Sequence, residues 1–497
     1  MRGRAAIGAV DVVHEARARR WTTVGADGAL GSWAWRAGRD ETASILVGPG
    51  TPVRIAALHA SAARPERSAA LALLAAGAAL AISLGGGDGR VFGERAQALR
   101  AARPDLVLVP LPDRDAADRL IELIEALRFG CADQSPRPRV LLASDDDRAM
   151  AAAAPGLASF TVETVPDLRT DEGIRRFVAR VRELRRGGIA ELVLRDEAIE
   201  EVARALSARA GSPALVVDVS GASTSLVRAA PSGEVVAAHA VRLGTGRGAD
   251  HVVARAGLER VRRWIPWAVD APTLLEQVFN RARWPDAVPV DPSTLALEIA
   301  LAHEAIGHAL ADADAAGISA PLASAPNVCL TGRLAALPRA SQAVLVASDA
   351  LEIAEVASIA RDADDAVIAL AGAALQEQRQ EERTRARRAI AERAAPLGVL
   401  APLEAGRRTR IRVTAGDATS DEPVARAQLL VIRAEGIVEV VATGVPMRGR
   451  GVAGPVGVVV DGRHRPLSIP VRDAERVPTV SRWYESLGAM PGVAVGT

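Results

Sequence analysis

The stretch Ala214-Leu-Val-Val-Asp-Val-Ser-Gly-Ala-Ser-Thr-Ser-Leu-Val-Arg228 decides the fold predicted for this chain. An unbroken apolar run ends at Asp218, small residues occupy 220–225, and a second apolar run follows. This pattern predicts a β-hairpin whose tip lacks bulky side chains. Backbone N–H groups at such a tip can approach a ligand closely, and a carboxylate beside them can hold a metal-bound water. Buried hairpins also have small tips for packing reasons alone, so both interpretations stay open here.

The charge balance excludes a general electrostatic attraction to polyanions. The 497 residues carry 61 Lys and Arg against 60 Asp and Glu, a formal net charge of +1. No overall field therefore draws the chain to nucleic acid or to an anionic membrane, and we expect neither as a partner. The sequence contains no lysine, which excludes lysine-dependent chemistry. A hydrophobic share of 49% and a charged share of 24% are typical of globular domains.

The cysteines and apolar segments favour the cytoplasm. Cys131 and Cys329 are too few for a metal cluster and fit a reducing compartment. The first residues are basic but lack a sustained apolar core, so we expect no signal peptide. Residues 69–84 form the most hydrophobic segment, which is shorter than the roughly 20 residues that a membrane span requires. This segment predicts a buried helix that runs into a strand.

The order of predicted elements indicates three parts. Residues 1–210 alternate strands with helices after an antiparallel start, which predicts a first α/β lobe. Residues 211–380 predict a second α/β lobe with the hairpin, a helical insertion and strands at 327–330, 345–351 and 356–359. Residues 381–497 predict a linker helix and a small C-terminal β-rich domain. Acids and arginines alternate over 376–393 with almost no apolar stripe, which predicts a solvated helix between domains.

Two polar clusters look like metal sites but are better explained otherwise. His303 and His308 are five residues apart, about 140° around a helix, so they cannot both face one ion. We expect structural or surface roles for both. Asp145-Asp-Asp147 follows a strand and opens a helical segment, where acids favour the helix N-terminus. The chain also has no Gly-x-Ser-x-Gly elbow, so the sequence does not indicate a hydrolase.

Tryptophan and arginine are interleaved in two segments of a chain with only 3% aromatic residues. These segments are Arg262-Arg-Trp264-Ile-Pro-Trp267 and Arg283-Trp284-Pro285. Packing between helices, anchoring of a protein partner and stacking on bases all use such residues. Packing and a partner surface are the favoured interpretations.

Several segments, in this order, resemble the glutamate mutase L family, also called the methylaspartate mutase accessory protein family. The Asp218 hairpin is similar to that family's phosphate hairpin. Arg263-Trp-Ile-Pro266 and the following helix are similar to its helical insertion, and Leu330-Thr-Gly-Arg-Leu-Ala-Ala-Leu-Pro338 is similar to its Thr-Gly-Gly-x-Leu turn. The most specific segment is Gly454-Pro-Val-Gly-Val-Val-Val-Asp-Gly-Arg-His-Arg-Pro-Leu-Ser-Ile-Pro470, which resembles the family's closing motif.

The resemblance implies an α/β protein with a two-lobe actin-like (ribonuclease H-like) fold and a small C-terminal β-rich domain. It also implies a role beside a coenzyme B12-dependent mutase, without cobalamin bound to this chain directly. If ATP and Mg²⁺ bind, Asp218 would orient a magnesium-bound water. The phosphates would lie against Gly221, Ser223, Thr224, Gly244 and Gly246, and Gly332 would flank the adenosine.

The chain departs from the family pattern at each nucleotide motif. Ser220 and Ser225 stand where the hairpin of the family has a glycine and an acid, and Arg333 replaces the second glycine of the adenosine-side turn. Near the N-terminus Asp11 is not followed by Gly-Thr, and Pro110-Leu-Pro-Asp113 stands where the family has a glycine-rich turn. These departures favour a member that kept the scaffold and weakened its ATP site.

Three functional hypotheses follow. The favoured one is a non-catalytic accessory, chaperone-like or scaffold protein for a mutase subunit or a related first-lobe protein. The alternative is an active ATPase that reactivates a B12-dependent mutase. A purely structural oligomer would instead require a self-complementary surface around Trp264 and Trp284.

Overall fold

The computed structural model describes residues 47–60, 65–323, 325–351, 353–404, 409–463 and 465–490, together with the backbone of short strands before residue 47. The protein is mixed α/β, with parallel and mixed sheets, as the sequence predicts. No helix in the described part of the chain is long and apolar enough to cross a membrane.

Six short strands come first. They are β1 (Ala6–Val10), β2 (Arg19–Val24), β3 (Leu30–Gly31), β4 (Arg36–Ala37), β5 (Glu41–Thr42) and β6 (Ser44–Gly48). β1 pairs antiparallel with β2 and parallel with β6, so the sheet is mixed from its first strand.

A doubly wound parallel unit follows. Its elements are β7 (Arg54–His59), α1 (Arg67–Ala75), β8 (Ala79–Gly85), α2 (Phe92–Ala102), β9 (Leu106–Pro110), α3 (Arg114–Gly130), β10 (Arg139–Ala143), α4 (Asp147–Leu157), β11 (Thr161–Val165) and α5 (Asp171–Arg186). The strand order is β11-β10-β9-β7-β8, and all neighbours are parallel. Asp146 caps α4 by accepting the N–H of Arg148 at 2.8 Å, which confirms the capping role predicted for the acidic cluster.

The chain then returns to the first sheet through β12 (Leu192–Leu194), which pairs parallel with β6. The complete sheet has the order β3-β2-β1-β6-β12. The parallel unit is therefore an insertion between two adjacent strands of this sheet.

The second half repeats the same arrangement. Its elements are α6 (Arg195–Ala210), β13 (Ala214–Val219), β14 (Ser223–Ala229), β15 (Val235–Val241), α7 (Ala249–Ala256), α8 (Leu258–Arg262), α9 (Ala271–Arg283), α10 (Pro292–Ala315), α11 (Ser319–Ala323), β16 (Asn327–Thr331), α12 (Gly332–Ala335), α13 (Ala340–Leu351), β17 (Ala357–Arg361) and α14 (Ala366–Gln376). β13 and β14 form the predicted hairpin, with Asp218 opposite Ser225. The order β15-β14-β13-β16-β17 has the same strand directions as the first sheet.

The strand predicted at residues 345–351 is wrong, because these residues lie in helix α13. Almost the whole of this helix is buried, from Ser341 to Asp349. A buried helix and a buried strand both give a continuous apolar run, so periodicity cannot separate them.

The last part of the chain extends the second sheet. Its elements are α15 (Gln380–Arg393), β18 (Ala395–Pro402), β19 (Arg410–Ala415), β20 (Ala418–Pro423), β21 (Leu429–Ile432), β22 (Gly436–Thr443), β23 (Met447–Ala453), β24 (Gly457–Asp461) and α16 (Asp473–Ser486). β18 pairs with β17, and β24 and β21 follow it, so one sheet of eight strands runs across residue 380. A separate four-stranded sheet has the order β20-β19-β22-β23.

Helix α15 is present but does not cross solvent between domains as predicted. It packs on α14 and α6 and buries Ala386, Ala389 and Ile390. These three residues have the i, i+3, i+4 spacing of one helix face, so a narrow apolar stripe is enough to dock a highly charged helix.

Helices α6 and α14 lie between the two repeated sheets. One hydrophobic core joins Val47 and Val193 of the first sheet to Val216 of the second, with Ile199 and Ile368 from the two helices. This packing brings the strand ends of both sheets to the same place and creates the site described next.

Candidate functional site

A cavity of about 290 Å³ lies where the loop after β6 meets the tip of the β13–β14 hairpin. Pro49 and Gly50 line it on one side, and Asp218, Gly221 and Ser223 line it on the other. The volume is close to the lower limit of small-molecule sites, roughly 300 Å³. Three of the predicted site residues therefore border this cavity, whereas Thr224, Gly244, Gly246 and Gly332 are not among its lining residues.

Asp218 is buried and its carboxylate is already engaged. Arg195 Nη2 donates to Oδ1 at 2.7 Å, and Arg195 Nε lies 3.3 and 3.2 Å from Oδ1 and Oδ2. Thr331 Oγ1 donates to Oδ1 at 2.7 Å. Asp218, which is predicted to orient a magnesium-bound water, thus accepts hydrogen bonds from the protein itself at both carboxylate oxygens.

Arg195 is the residue that the sequence interpretation missed. It is the first residue of α6, directly after β12, and its Nη2 also donates to Asp365 Oδ1 at 2.9 Å. Burial alone would lower the pKa of Arg195, but attraction to Asp218 and Asp365 raises that pKa well above its ordinary value. No local sequence signal marks this arginine, since both partners come from other strands and loops.

The hairpin tip is held by its own hydroxyl groups. Ser220 Oγ accepts the N–H groups of Ala222 at 3.2 Å and Ser223 at 3.0 Å, and it lies 3.0 Å from Ser223 Oγ. Thr224 is fully buried, and its hydroxyl donates to the carbonyl of Leu243 at 2.6 Å. Ser220 therefore takes the N–H groups that a phosphate oxygen would accept at an open tip.

The glycines at 244 and 246 pack directly on this tip. The N–H of Gly246 donates to Gly221 O at 3.0 Å, and the N–H of Thr245 donates to Ser220 O at 3.1 Å. A Cβ on Gly244 would lie 2.6 Å from the Ala222 nitrogen. The structure brings the two predicted phosphate loops together, and close backbone packing by itself accounts for Gly244.

Gly332 lies beside the carboxylate of Asp218. Its backbone pairs with Val219, its φ is +67°, and an added Cβ would be 2.8 Å from Asp218 Oδ1. Only glycine fits this left-handed, crowded position without strain. Gly332 therefore shapes the environment of Asp218, at the position where the sequence predicts contact with adenosine.

Arg333, which replaces the family's second glycine, closes one side of the site. Its Nε donates to Glu298 Oε1 at 2.8 Å, and its Nη1 donates to Pro285 O at 2.5 Å. Glu298 is buried, accepts the hydroxyl of Thr245 at 2.5 Å and is paired with Arg281. Burial raises the pKa of Glu298, although Arg281 opposes this shift. The loop after α9 is thereby tied to the glycine loop.

Ser225 takes part in a second polar group that the sequence did not reveal. Its hydroxyl lies 2.9 Å from His239 Nδ1, and His239 Nε2 lies 3.6 Å from Glu200 Oε1. Ser225 and His239 line the cavity and are only 2% exposed. The alternation of β14 and β15 places the two side chains opposite each other.

Trp264 and Trp284 have different environments. Trp264 is buried, stacks on His303 with ring centroids 4.0 Å apart, and donates from Nε1 to Glu304 at 2.8 Å. Packing is thus the correct interpretation for Trp264, and His303 has the structural role predicted for it. Trp284 is 63% exposed, near Phe279 at 56% and Val288 at 74%.

Asp11 lies outside the described residues. Among the residues that are described, no group of three or more His, Cys, Asp and Glu side chains is arranged to hold a metal ion. No protein-family model matches the chain, and no curated protein is significantly similar to it. The function is therefore argued from the site alone.

Proposed function

We propose that this chain is an accessory, chaperone-like or scaffold protein with a two-lobe actin-like fold and a weakened nucleotide site, acting beside a coenzyme B12-dependent mutase in the cytoplasm. The fold part of the proposal is supported by the two sheets of identical strand order, β3-β2-β1-β6-β12 and β15-β14-β13-β16-β17. The cavity between them, at the tip of the Asp218 hairpin, is where such a pair of lobes would hold a nucleotide.

The ion pair between Arg195 and Asp218 carries the weakened-site part of the proposal. A hydrolysing site needs a carboxylate that is free to hold a metal-bound water. Here the carboxylate is buried against a guanidinium, and breaking such a pair costs about 3–5 kcal/mol. This cost favours the accessory role over the active ATPase.

The partner part of the proposal is supported by an exposed apolar surface, defined by Leu275, Phe279, Trp284, Val288 and Val290 and called the α9 surface below. Its five residues are between 38% and 89% exposed. They come from helix α9 and the loop that follows it, and exposed aromatic residues are typical of protein-binding surfaces.

The α9 surface is joined to the cavity. Pro285 and Asp286 line the cavity, and they lie in the same loop as Trp284 and Val288. Arg333 holds this loop through the carbonyl of Pro285. A ligand that moved the loop would therefore move part of the α9 surface, which is the connection that a ligand-responsive scaffold requires.

The test uses the purified full chain. It is mixed with each of a panel of purified coenzyme B12-dependent carbon-skeleton mutases, and complex formation is measured by size-exclusion chromatography with light scattering. ATP turnover is measured in parallel for the wild type and for Asp218→Ala. We expect a stable complex with one mutase and equal, background turnover for both proteins. Turnover that Asp218→Ala abolishes would establish the active ATPase instead, and the absence of any complex would contradict the accessory role.

A further inference from the structure

Two arginines at the cavity mouth are not neutralised. Arg242 and Arg247 line the cavity and are exposed, and within the described ranges neither guanidinium has a hydrogen bond or an ion pair. The deeper arginines of the same cavity are paired, Arg185 with Asp196 and Arg195 with Asp218. The mouth of the cavity therefore presents two free guanidinium groups to an entering ligand.

The lining as a whole has an excess of positive charge. After the two buried pairs are set aside, Arg242 and Arg247 face one remaining carboxylate, that of Asp286. Guanidinium groups bind phosphate oxygens in a planar, bidentate geometry. The free charge at the mouth thus selects an anionic ligand.

The backbone holds Arg242 in an unfavourable conformation. Its φ is +69°, in the left-handed region that non-glycine residues seldom occupy. Such strained conformations concentrate at ligand sites. The turn that follows packs closely on Arg242, since a Cβ on Gly248 would lie 2.6 Å from Arg242 O. An arginine thus stands at the mouth where glycine would be less strained.

Arg195 occupies the carboxylate of Asp218 deeper in the cavity. The arginine side chain is only 12% exposed, and it is paired with both Asp218 and Asp365, so it adds no net positive charge to the cavity. The carboxylate that would otherwise hold a metal-bound water is engaged by the protein itself. The cavity is therefore poorly suited to a divalent cation at this position.

We propose that the cavity binds the phosphoanhydride chain of a nucleotide or of inorganic polyphosphate without a divalent cation, with Arg242 and Arg247 binding the phosphates at the mouth while Arg195 keeps the carboxylate of Asp218 occupied. This inference rests on the proposed function for the location of the phosphate chain, and it adds the ligand class and the absence of a metal requirement. The phosphate chain lies against the guanidinium groups, while Ser220 continues to hold the hairpin tip.

The experiment is calorimetric titration of the full chain with sodium tripolyphosphate and with ATP, each in EDTA and in excess Mg²⁺. We expect saturable binding in EDTA, and binding no tighter with Mg²⁺. Equal affinity for the two ligands would assign the site to inorganic polyphosphate, and at least tenfold tighter binding of ATP would assign it to a nucleotide. Binding that appears only with Mg²⁺, or no binding of either ligand, would overturn the inference.

Three variants connect any binding to this site. The double variant Arg242→Ala, Arg247→Ala should weaken binding in EDTA at least tenfold, whereas Arg209→Ala, which removes an exposed arginine at the end of α6, should leave it unchanged. Arg242→Gly removes the guanidinium and relieves the left-handed strain, so it should bind more weakly yet unfold at a higher temperature. Wild-type affinity in the double variant would contradict the inference. The mutase complex is measured separately, so loss of phosphate binding and loss of the accessory role are distinguishable.

Discussion

Arg195, the first residue of helix α6, forms a buried ion pair with Asp218 near the end of strand β13. The guanidinium donates to Oδ1 at 2.7 Å, the arginine side chain is 12% exposed and the aspartate side chain is 1% exposed. Twenty-three residues separate the two, and helix α6 returns the chain so that its own first residue meets the end of β13. The pair leaves the Asp218 carboxylate engaged by the protein itself.

Removing Arg195 should destabilise the protein strongly. Arg195→Ala leaves the Asp218 carboxylate buried without a counter-charge, and we expect a loss of about 3–5 kcal/mol in the free energy of unfolding. Urea unfolding measures this loss. The double variant Arg195→Ala, Asp218→Asn should recover a large part of it, because no uncompensated charge remains. Arg448→Ala removes an exposed pair with Glu439 and should cost at most about 1 kcal/mol. Equal losses for Arg195→Ala and Arg448→Ala would show that the buried pair is not a stabilising contact.

Arg463 of the closing motif should stabilise the packing of this segment against helix α13. Arg463 donates to Asp461 at 2.9 Å and to Asp349 of α13 at 2.5 Å, and its guanidinium lies 4.7 Å above the Trp483 ring. Burial favours the neutral form of Asp349, but attraction to Arg463 outweighs it and holds the pKa of Asp349 below its ordinary value. Arg463→Leu should therefore cost about 3–5 kcal/mol at pH 7.

The pH dependence of this variant has a defined sign. A carboxylate with a lowered folded-state pKa contributes stability that is present above the unfolded pKa, near 4, and is lost as the pH falls further. The difference in unfolding free energy between the wild type and Arg463→Leu should therefore shrink as the pH falls below about 4. A difference that is the same at pH 3 as at pH 7 would contradict the electrostatic origin of this contribution.

Asp362 should reduce stability at neutral pH. Its Oδ2 accepts the N–H groups of Val367 and Ile368 at 3.0 and 3.2 Å, while burial and the nearby charge of Asp365 raise the pKa of Asp362 to about 7. The stability linked to its protonation is complete below about pH 4 and is lost as the pH rises through 7.

Asp362→Asn should remove this pH dependence. The amide oxygen can still accept both N–H groups, and no charge develops at high pH. We expect the variant to be more stable than the wild type at pH 8 by at least about 1 kcal/mol, the equivalent of one pKa unit. The advantage of the variant should be smaller at pH 5 and should disappear below about pH 4, where Asp362 is protonated in both the folded and the unfolded state. Chemical denaturation at pH 4, 5, 6.5 and 8 measures the effect, and a variant that is less stable than the wild type at pH 8 would refute the charge penalty.

The α9 surface should carry the affinity for a protein partner. Phe279→Ser with Trp284→Ala removes two exposed aromatic side chains, and we expect the mutase complex to weaken by at least 2 kcal/mol, about 30-fold. Surface plasmon resonance measures the affinity. Val471→Ser, at a residue that is 90% exposed and is not part of the α9 surface as defined above, is the matched control and should change neither stability nor binding. Unchanged affinity in the double variant would place the partner surface elsewhere.

The local sequence pattern was sufficient to predict many of the helices and strands. The apolar runs on either side of the Asp218 turn predicted the hairpin. Buried strands and the small residues of a tight turn can both be recognised from the local sequence. The alternation of strands and helices in the inserted unit was predicted for the same reason. The sequence pattern gave a wrong prediction for α13, because this buried helix has the continuous apolar run of a strand. It also gave a wrong prediction for α15, because three apolar residues are enough to dock this charged helix.

The character of the site was decided by the tertiary structure. The sequence indicated that Asp218, Gly221, Gly244 and Gly332 belong together; the fold places Asp218 and Gly221 on the cavity wall, and it packs Gly244 and Gly332 directly against the hairpin. The sequence contained no sign that Arg195 would reach Asp218, because an ion pair between distant residues depends on how helices return the chain to the sheet. By itself the sequence thus determined the elements and the position of the hairpin, whereas the three-dimensional packing decided which charges in the site are neutralised and which remain free.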